Sequence, residues 1–185
     1  MIETDRLIIR VPTLDDLEKI QAAKEANWAE LQQWMCWTSD DQRPIDAMRY
    51  YIETIIPADH EKGGLHLYAF HKDNGDFVMS SGLTPTDTPD VYTTGYWGNV
   101  DYLGQGYATE TMRAIIDFAF ATHGATMLEI AYYEGNEKSR RIIDKCGFEF
   151  VRTLTKAHKS HATGEMLDEY RYVLTRDQWR ARHVP

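Results

Sequence analysis

Apolar positions along this chain recur with two periods, and the switches between them predict its elements. Residues 6–11 read as a strand, and residues 14–24 as a helix with Leu14, Leu17, Ile20 and Ala23 on one stripe. A second helical stretch carries Trp28, Leu31 and Trp34. Pro44 suits the first turn of a third helix, which brings Met48, Tyr51, Ile52 and Ile55 toward Pro57. Residues 65–71 and 76–83 alternate with period two on either side of Asp73-Asn74-Gly75, which predicts a hairpin, and residues 91–100 predict the next strand. Ala108, Met112, Ile115, Ile116 and Ala119 return to helical spacing. Residues 127–133 then predict a strand, and residues 137–146 a helix that stops at Gly147 ahead of Phe148. Residues 148–154 and 169–174 predict two closing antiparallel strands around a polar loop over 155–168. No repeat, low-complexity segment or linker interrupts the pattern, so residues 1–185 read as one domain.

Gly104-Gln105-Gly106 stands where the strand pattern becomes helical. The first N–H groups of a helix lack intrahelical partners and carry the positive end of the macrodipole, and glycine lets an anion approach them closely. A Walker loop is excluded, because Gly106-Tyr107-Ala108 supplies neither lysine nor hydroxyl. A dinucleotide fingerprint is weak: Glu129 has suitable spacing, but Thr109 stands where the third glycine belongs. A plain structural turn remains an equal alternative.

The order of strand, Gly-x-Gly helix, strand, Asn136-x-x-Ser139 helix, Gly147-Phe148 and strand resembles the GNAT superfamily of acetyl-CoA-dependent N-acetyltransferases. Residues 3–10, Leu31-Gln-Gln-Trp34-Met-Cys-Trp37, Gly95-Tyr96-Trp97 and Gly106-Tyr107-Ala108-Thr109-Glu110 are similar to the branch that acetylates the N-terminal amine of ribosomal proteins. The resemblance implies an α+β fold with a largely antiparallel sheet of about seven strands, splayed between the fourth and fifth and flanked by helices. It also implies acetyl-CoA as co-substrate, no metal, and it allows a homodimer. Its acceptor would be a protein N-terminal α-amine; a small amine such as a polyamine, amino acid or antibiotic, and a non-catalytic acyl-CoA sensor, stay open.

By the same resemblance, the main chain of Leu103, Gly104, Gln105, Gly106, Tyr107, Ala108 and Thr109 holds the pyrophosphate, while Asn136 and Ser139 line the pantetheine and thiol end. Asn99 and Val100, after a bulge at Gly98, occupy the place where the splayed strand frees an N–H. Asp101 departs from the family's Gln or Arg, and since a carboxylate repels phosphate it is expected to point away. Many members protonate the leaving thiolate with a tyrosine seven residues after the asparagine; Ile143 stands there, so Ser139 becomes the donor, unless its hydroxyl only bonds the first helical turn. Glu129 and His158 are candidate bases, against the simpler readings of a surface carboxylate and, with His161, two solvated loop histidines. Trp34 and Trp37 are candidates for the acceptor site; Trp28, Tyr50 and Tyr51 read first as packing.

Composition narrows the partners. With 43% hydrophobic and 26% charged residues, the chain has enough apolar content for a core without staples. Cys36 and Cys146 read as two reduced thiols. Neither a basic leader nor a long apolar run is present, so a cytoplasmic protein is expected. The net charge of −9 disfavours nucleic acid as a partner and serves solubility or attracts a cationic amine, and without a long apolar run no membrane partner is expected.

Overall fold

The computed structural model describes residues 1–183. The chain opens with β1 (Ile2–Glu3) and β2 (Leu7–Arg10), then α1 (Leu17–Ala26) and α2 (Trp28–Trp34). A helical run follows: α3 (Ile45–Tyr50), a π-helical turn (Tyr51–Ile55) and α4 (Ile56–Glu61). Next come β3 (Leu65–His71), β4 (Phe77–Pro85), β5 (Val91–Thr93), β6 (Tyr96–Gly98), α5 (Tyr107–Ala121), β7 (Met127–Tyr133) and α6 (Glu137–Cys146). The hairpin β8 (Glu149–Lys159) and β9 (Met166–Thr175) leads into α7 (Arg176–His183).

The nine strands form one sheet in the order β1-β2-β3-β4-β5-β7-β9-β8, with β6 also on β4. All pairs are antiparallel except β5 with β7, which run parallel and are bridged by α5, as a parallel pair requires. The count exceeds the expected seven for two reasons. The short β1 adds one strand, and the single strand expected over 91–100 is broken into β5 and β6.

Alternation along β3 explains why the sheet has two cores. Leu67 and Ala69 face a cluster with Met112, Ile115 and Ile143 of α5 and α6. Tyr68 and Phe70 face the opposite one, with Ile20, Leu31, Met48 and Ile52 from the N-terminal helices. Full burial of an aliphatic side chain such as Ile115 contributes about 1.5–3 kcal/mol.

Two local expectations fail for identifiable reasons. Leu14 is exposed, because residues 14–16 form a 3-10 turn whose Asp16 carboxylate is drawn back to the Thr13 N–H at 2.8 Å and to Arg10 at 2.7 Å. The loop expected over 155–168 is largely strand. Main-chain pairing continues through His158↔Leu167 and Lys159↔Met166, although most of β8 beyond Phe148 is solvent-facing and carries no apolar alternation. Among the described residues no helix is long and apolar enough to cross a membrane.

Candidate active site

The Gly-x-Gly turn has the geometry that its sequence requires. Gly104 and Gly106 have φ of 75° and 86°, in the left-handed region that side chains resist, and Gly106 is the N-cap of α5. Leu103, Gly104, Gln105 and Gly106 are exposed, whereas the Tyr107 ring is buried against His71, its hydroxyl 3.0 Å from Nε2. Ala108 and Thr109, half-buried, complete the first turn. The sequence reading missed Arg6. Its Nη1 donates to the Gln105 carbonyl at 3.0 Å, its Nε donates to Glu110 at 2.7 Å, and its guanidinium lies 3.9 Å from the centre of the Tyr107 ring. Arg6 thus ties the turn to the first turn of α5, and because its charge is matched by Glu110 the positive end of the helix dipole is left to the main-chain N–H groups.

Asn99 serves the same turn structurally. Its amide donates to the Phe77 carbonyl at 2.9 Å, and its Oδ1 accepts the Asp101 N–H at 3.1 Å. Val100 starts the 3-10 turn that follows, and the Asp101 side chain is solvent-exposed.

The strand break lies elsewhere than expected. Gly98 pairs normally with Met79, so no bulge is centred there. The interruption is at Thr94-Gly95. Here β5 leaves β7 after Thr93↔Glu129, the Thr94 N–H makes a last bond to the Glu129 carbonyl at 2.8 Å, and the Thr94 hydroxyl donates to the Gly82 carbonyl at 2.8 Å. Beyond it, β6 stays on β4 while β7 continues with β9. Between them opens a cleft of about 310 Å³, lined by Thr94, Tyr96, Glu129, Asn136 and Ser139 among others.

Asn136 caps α6 by accepting the Ser139 N–H on its Oδ1 at 3.1 Å, which accounts for the Asn-x-x-Ser spacing. The Ser139 hydroxyl does not bond its own first turn. It lies 2.9 Å from the hydroxyl of Tyr96, which also approaches the Ser139 carbonyl at 3.1 Å. Burial pushes the Tyr96 phenol well above its ordinary pKa, against the opposing hydrogen bond from Ser139, so it stays protonated at neutral pH. Tyr96 therefore stands in space near the serine, where Ile143, buried in the core, cannot. The sequence offered Tyr96 only as part of a motif.

The remaining candidates separate. Glu129 is half-buried and lines the cleft. Trp34 lines it too, with a buried indole N–H that has no acceptor. Trp37 packs between Trp28 and Trp97, with ring centres 6.5 and 6.3 Å away. Trp28 is core, as expected for packing, and Tyr50 is exposed. His158 is not a loop histidine. It sits in β8, 5% exposed, its ring stacked 3.7 Å from that of Tyr133, and it does not line the cleft. Burial lowers its pKa, partly countered by the Gln33 carbonyl and Glu169. His161 is exposed and meets the Cys36 carbonyl at 3.0 Å.

A second chamber, about 510 Å³, adjoins the cleft at Met35-Cys36-Trp37 and at residues 93–96, which line both spaces. It is lined by Lys24 of α1, Met48 of α3, Tyr51 of the π-helical turn, and His66, Tyr68 and Ser80 of the sheet. Lys24 is 1% exposed and donates to the Gln42 carbonyl at 2.9 Å, and burial lowers its pKa to about 8.

The profile of the acetyltransferase (GNAT) domain family matches residues 6–149. Protein YkkB of Bacillus subtilis is 31% identical over 110 residues, a match covering 57% of this chain and 64% of that protein. The FsC-acetyl coenzyme A-N(2)-transacetylase of Aspergillus fumigatus is 29% identical over 119 residues, covering 60% of this chain and 51% of the relative. The chain thus spans between half and two thirds of these two relatives. In fold, it is similar to the ribosomal-protein-S5-alanine acetyltransferase of Vibrio fischeri, with a TM-score of 0.84 at 18% identity over 96% of this chain and 97% of the other. The sheet split beside a glycine-led helix and the match across most of its length agree: this chain belongs to the GNAT acetyltransferase family.

Proposed function

We propose that this chain transfers an acetyl group from acetyl-CoA to a primary amine by direct attack in a ternary complex, and that the amine is carried by a compact molecule. The observation that carries this reading is a half-open chamber of about 510 Å³ that meets the cleft beside Ser139 at Met35-Cys36-Trp37 and at the Thr94-Gly95 interruption. That volume is in the range of small-molecule sites, about 300–1,000 Å³.

The residues present fit acetyl-CoA. Exposed left-handed glycines leave the α5 N-terminus open to a pyrophosphate, with Arg6 beneath the turn, and the cleft beside Asn136 and Ser139 suits a pantetheine arm. At the thioester, the amine nitrogen bonds to the carbonyl carbon and the C–S bond breaks, its electron pair leaving on sulfur. The Ser139 hydroxyl gives the thiolate a proton and recovers one from Tyr96, and the proton that the nitrogen sheds on becoming an amide passes through solvent water to Tyr96, which restores the pair.

A protein N-terminal α-amine is the second reading. Exposed Val151 and Arg152 line the cleft beside Glu129 and Glu169, so an extended terminus has a route in from solvent. Likeness in fold to an S5-alanine acetyltransferase agrees with it, while the fungal relative's name, an acetyl coenzyme A transacetylase, agrees with amine acetylation in general. A thiol-release assay with spermidine, lysine, an aminoglycoside and an alanine-initiated tetrapeptide tests both. Release with the small amines alone supports the compact acceptor; release with the peptide alone supports the second reading. CoA binding without release from any of them supports a sensor.

A further inference from the structure

The second chamber holds a set of groups that neither the serine nor the cleft uses. The His66 Nε2 lies 3.1 Å from the Asp59 carboxylate, and its Nδ1 lies 2.9 Å from the Tyr51 hydroxyl. A carboxylate only accepts, so Nε2 carries the hydrogen, and the Nδ1 lone pair accepts the Tyr51 O–H. The three groups form a line from carboxylate through imidazole to phenol, and Tyr51 and His66 line the chamber.

The sheet sets this line two strands from the break. His66 pairs with Gly82, and the Gly82 carbonyl takes the Thr94 hydroxyl. Directly opposed residues share a face, so His66 lies on the chamber side of the sheet, about two strand spacings, ~10 Å, from Thr94-Gly95, which line the same chamber. Only glycine fits at 82: a Cβ would meet the Leu65 carbonyl oxygen at 2.2 Å. The consequence is a gap in the side-chain layer between His66 and the break.

We propose that the chamber is the acceptor-amine site, and that Tyr51, His66 and Asp59 take up the proton the amine must lose. This rests on the acetyl-transfer reading above. The R–NH3+ group gives a proton to the Tyr51 oxygen as the Tyr51 proton passes to His66 Nδ1, leaving R–NH2 and an imidazolium held by Asp59; the free lone pair then attacks the thioester carbon. Burial lowers the pKa of His66, more than Asp59 raises it, so the imidazole is neutral and ready to accept near pH 7. The groups facing it are Asp59 and His60 of α4 and Tyr51, while Lys24 and Tyr68 share the chamber. The buried Lys24 opposes a second cation there, which makes loss of the amine proton a condition for reaction.

The test uses the full chain and whichever of spermidine, lysine and an alanine-initiated tetrapeptide gives the highest kcat/KM. In the wild type, kcat/KM is expected to fall on the acid side as His66 gains a proton. Tyr51→Phe and His66→Gln are expected to lower kcat/KM about 100-fold near pH 7 and to remove that acid limb, with CoA affinity by calorimetry unchanged. Asp59→Asn should shift the limb. Tyr51→Phe removes one oxygen from an intact ring, so it reports on the relay if His66→Gln does not fold. Variants with wild-type rates and pH profile overturn the relay alone. A wild type that acetylates none of the three amines overturns the acetyl-transfer reading and the relay with it.

Discussion

The Tyr96 hydroxyl lies 2.9 Å from the Ser139 hydroxyl, joining the strand that stays with β4 to the helix that follows β7. This bond spans the split in the sheet, so it is positioned by both halves of the molecule. Tyr96 is protonated and Ser139 faces the cleft, an arrangement suited to delivering a proton to a leaving thiolate. Ser139→Ala is expected to lower kcat about 100-fold with CoA affinity retained. Tyr96→Phe should give a smaller loss in kcat, since water can replace the second donor. Stopped-flow thiol release and calorimetry check both, and an unchanged kcat in Ser139→Ala would remove the serine from the reaction.

The Gly106 backbone makes a second prediction. At φ of 86° a Cβ is strained, although the nearest atom it would meet is the tip of Arg6 at a comfortable 3.6 Å. Gly106→Ala should therefore destabilise the fold by about 1–2 kcal/mol, through conformation rather than collision. It should also weaken CoA binding, as the turn relaxes away from its left-handed geometry. Denaturant titration and calorimetry would read the two effects separately.

Much of this arrangement was legible along the chain, and the failures have physical causes. The helices α5 and α6 are strongly periodic because each lays one stripe on the sheet, so their positions and the glycine turn followed from spacing. The break lies at Thr94-Gly95 and not at Gly98, because it depends on β7 diverging from β5 and on Thr94 satisfying Gly82, neither of which is marked in the sequence around it. His158 looked like a loop residue because β8 is held by backbone pairing and carries little apolar alternation. Tyr96, Tyr51 and His66 could not be assigned roles from sequence, since their partners Ser139 and Asp59 come from other elements.

Lys24 predicts an unusual dependence of stability on pH. Its folded pKa of about 8 is below the ordinary value of 10.5, because burial disfavours the ammonium more than Glu25 supports it. Between those two values the unfolded chain binds more protons than the folded one, so this residue's contribution to stability improves as pH rises from 8 to 10.5. Below pH 8 the full penalty of the buried charge applies. Lys24→Met should raise the midpoint of urea unfolding at pH 7 and flatten its change over that alkaline window. A variant less stable than wild type at pH 7 would mean that the Gln42 carbonyl offsets the buried charge.

Trp34 lines the cleft, and its buried indole N–H has no protein acceptor, so a small shift of the ring on binding would let it donate to a carbonyl of a bound molecule. Trp34→Phe keeps the ring contact and removes the donor. KM for acetyl-CoA or for the amine is expected to rise about tenfold with kcat little changed, consistent with the loss of one buried hydrogen bond of ~1–1.5 kcal/mol. Steady-state kinetics with each substrate varied in turn identifies which one the indole holds.

Acetyl transfer at the Thr94-Gly95 break requires an amine to receive the acetyl group. The most direct measurement incubates the purified chain with acetyl-CoA and each candidate amine, following free CoA and acetylated product together by mass spectrometry. Equal amounts of CoA and N-acetylated amine are expected, formed only when an amine is present and sharply reduced in Ser139→Ala. CoA released at the same rate without amine, or product formed equally well by Ser139→Ala, would contradict this expectation.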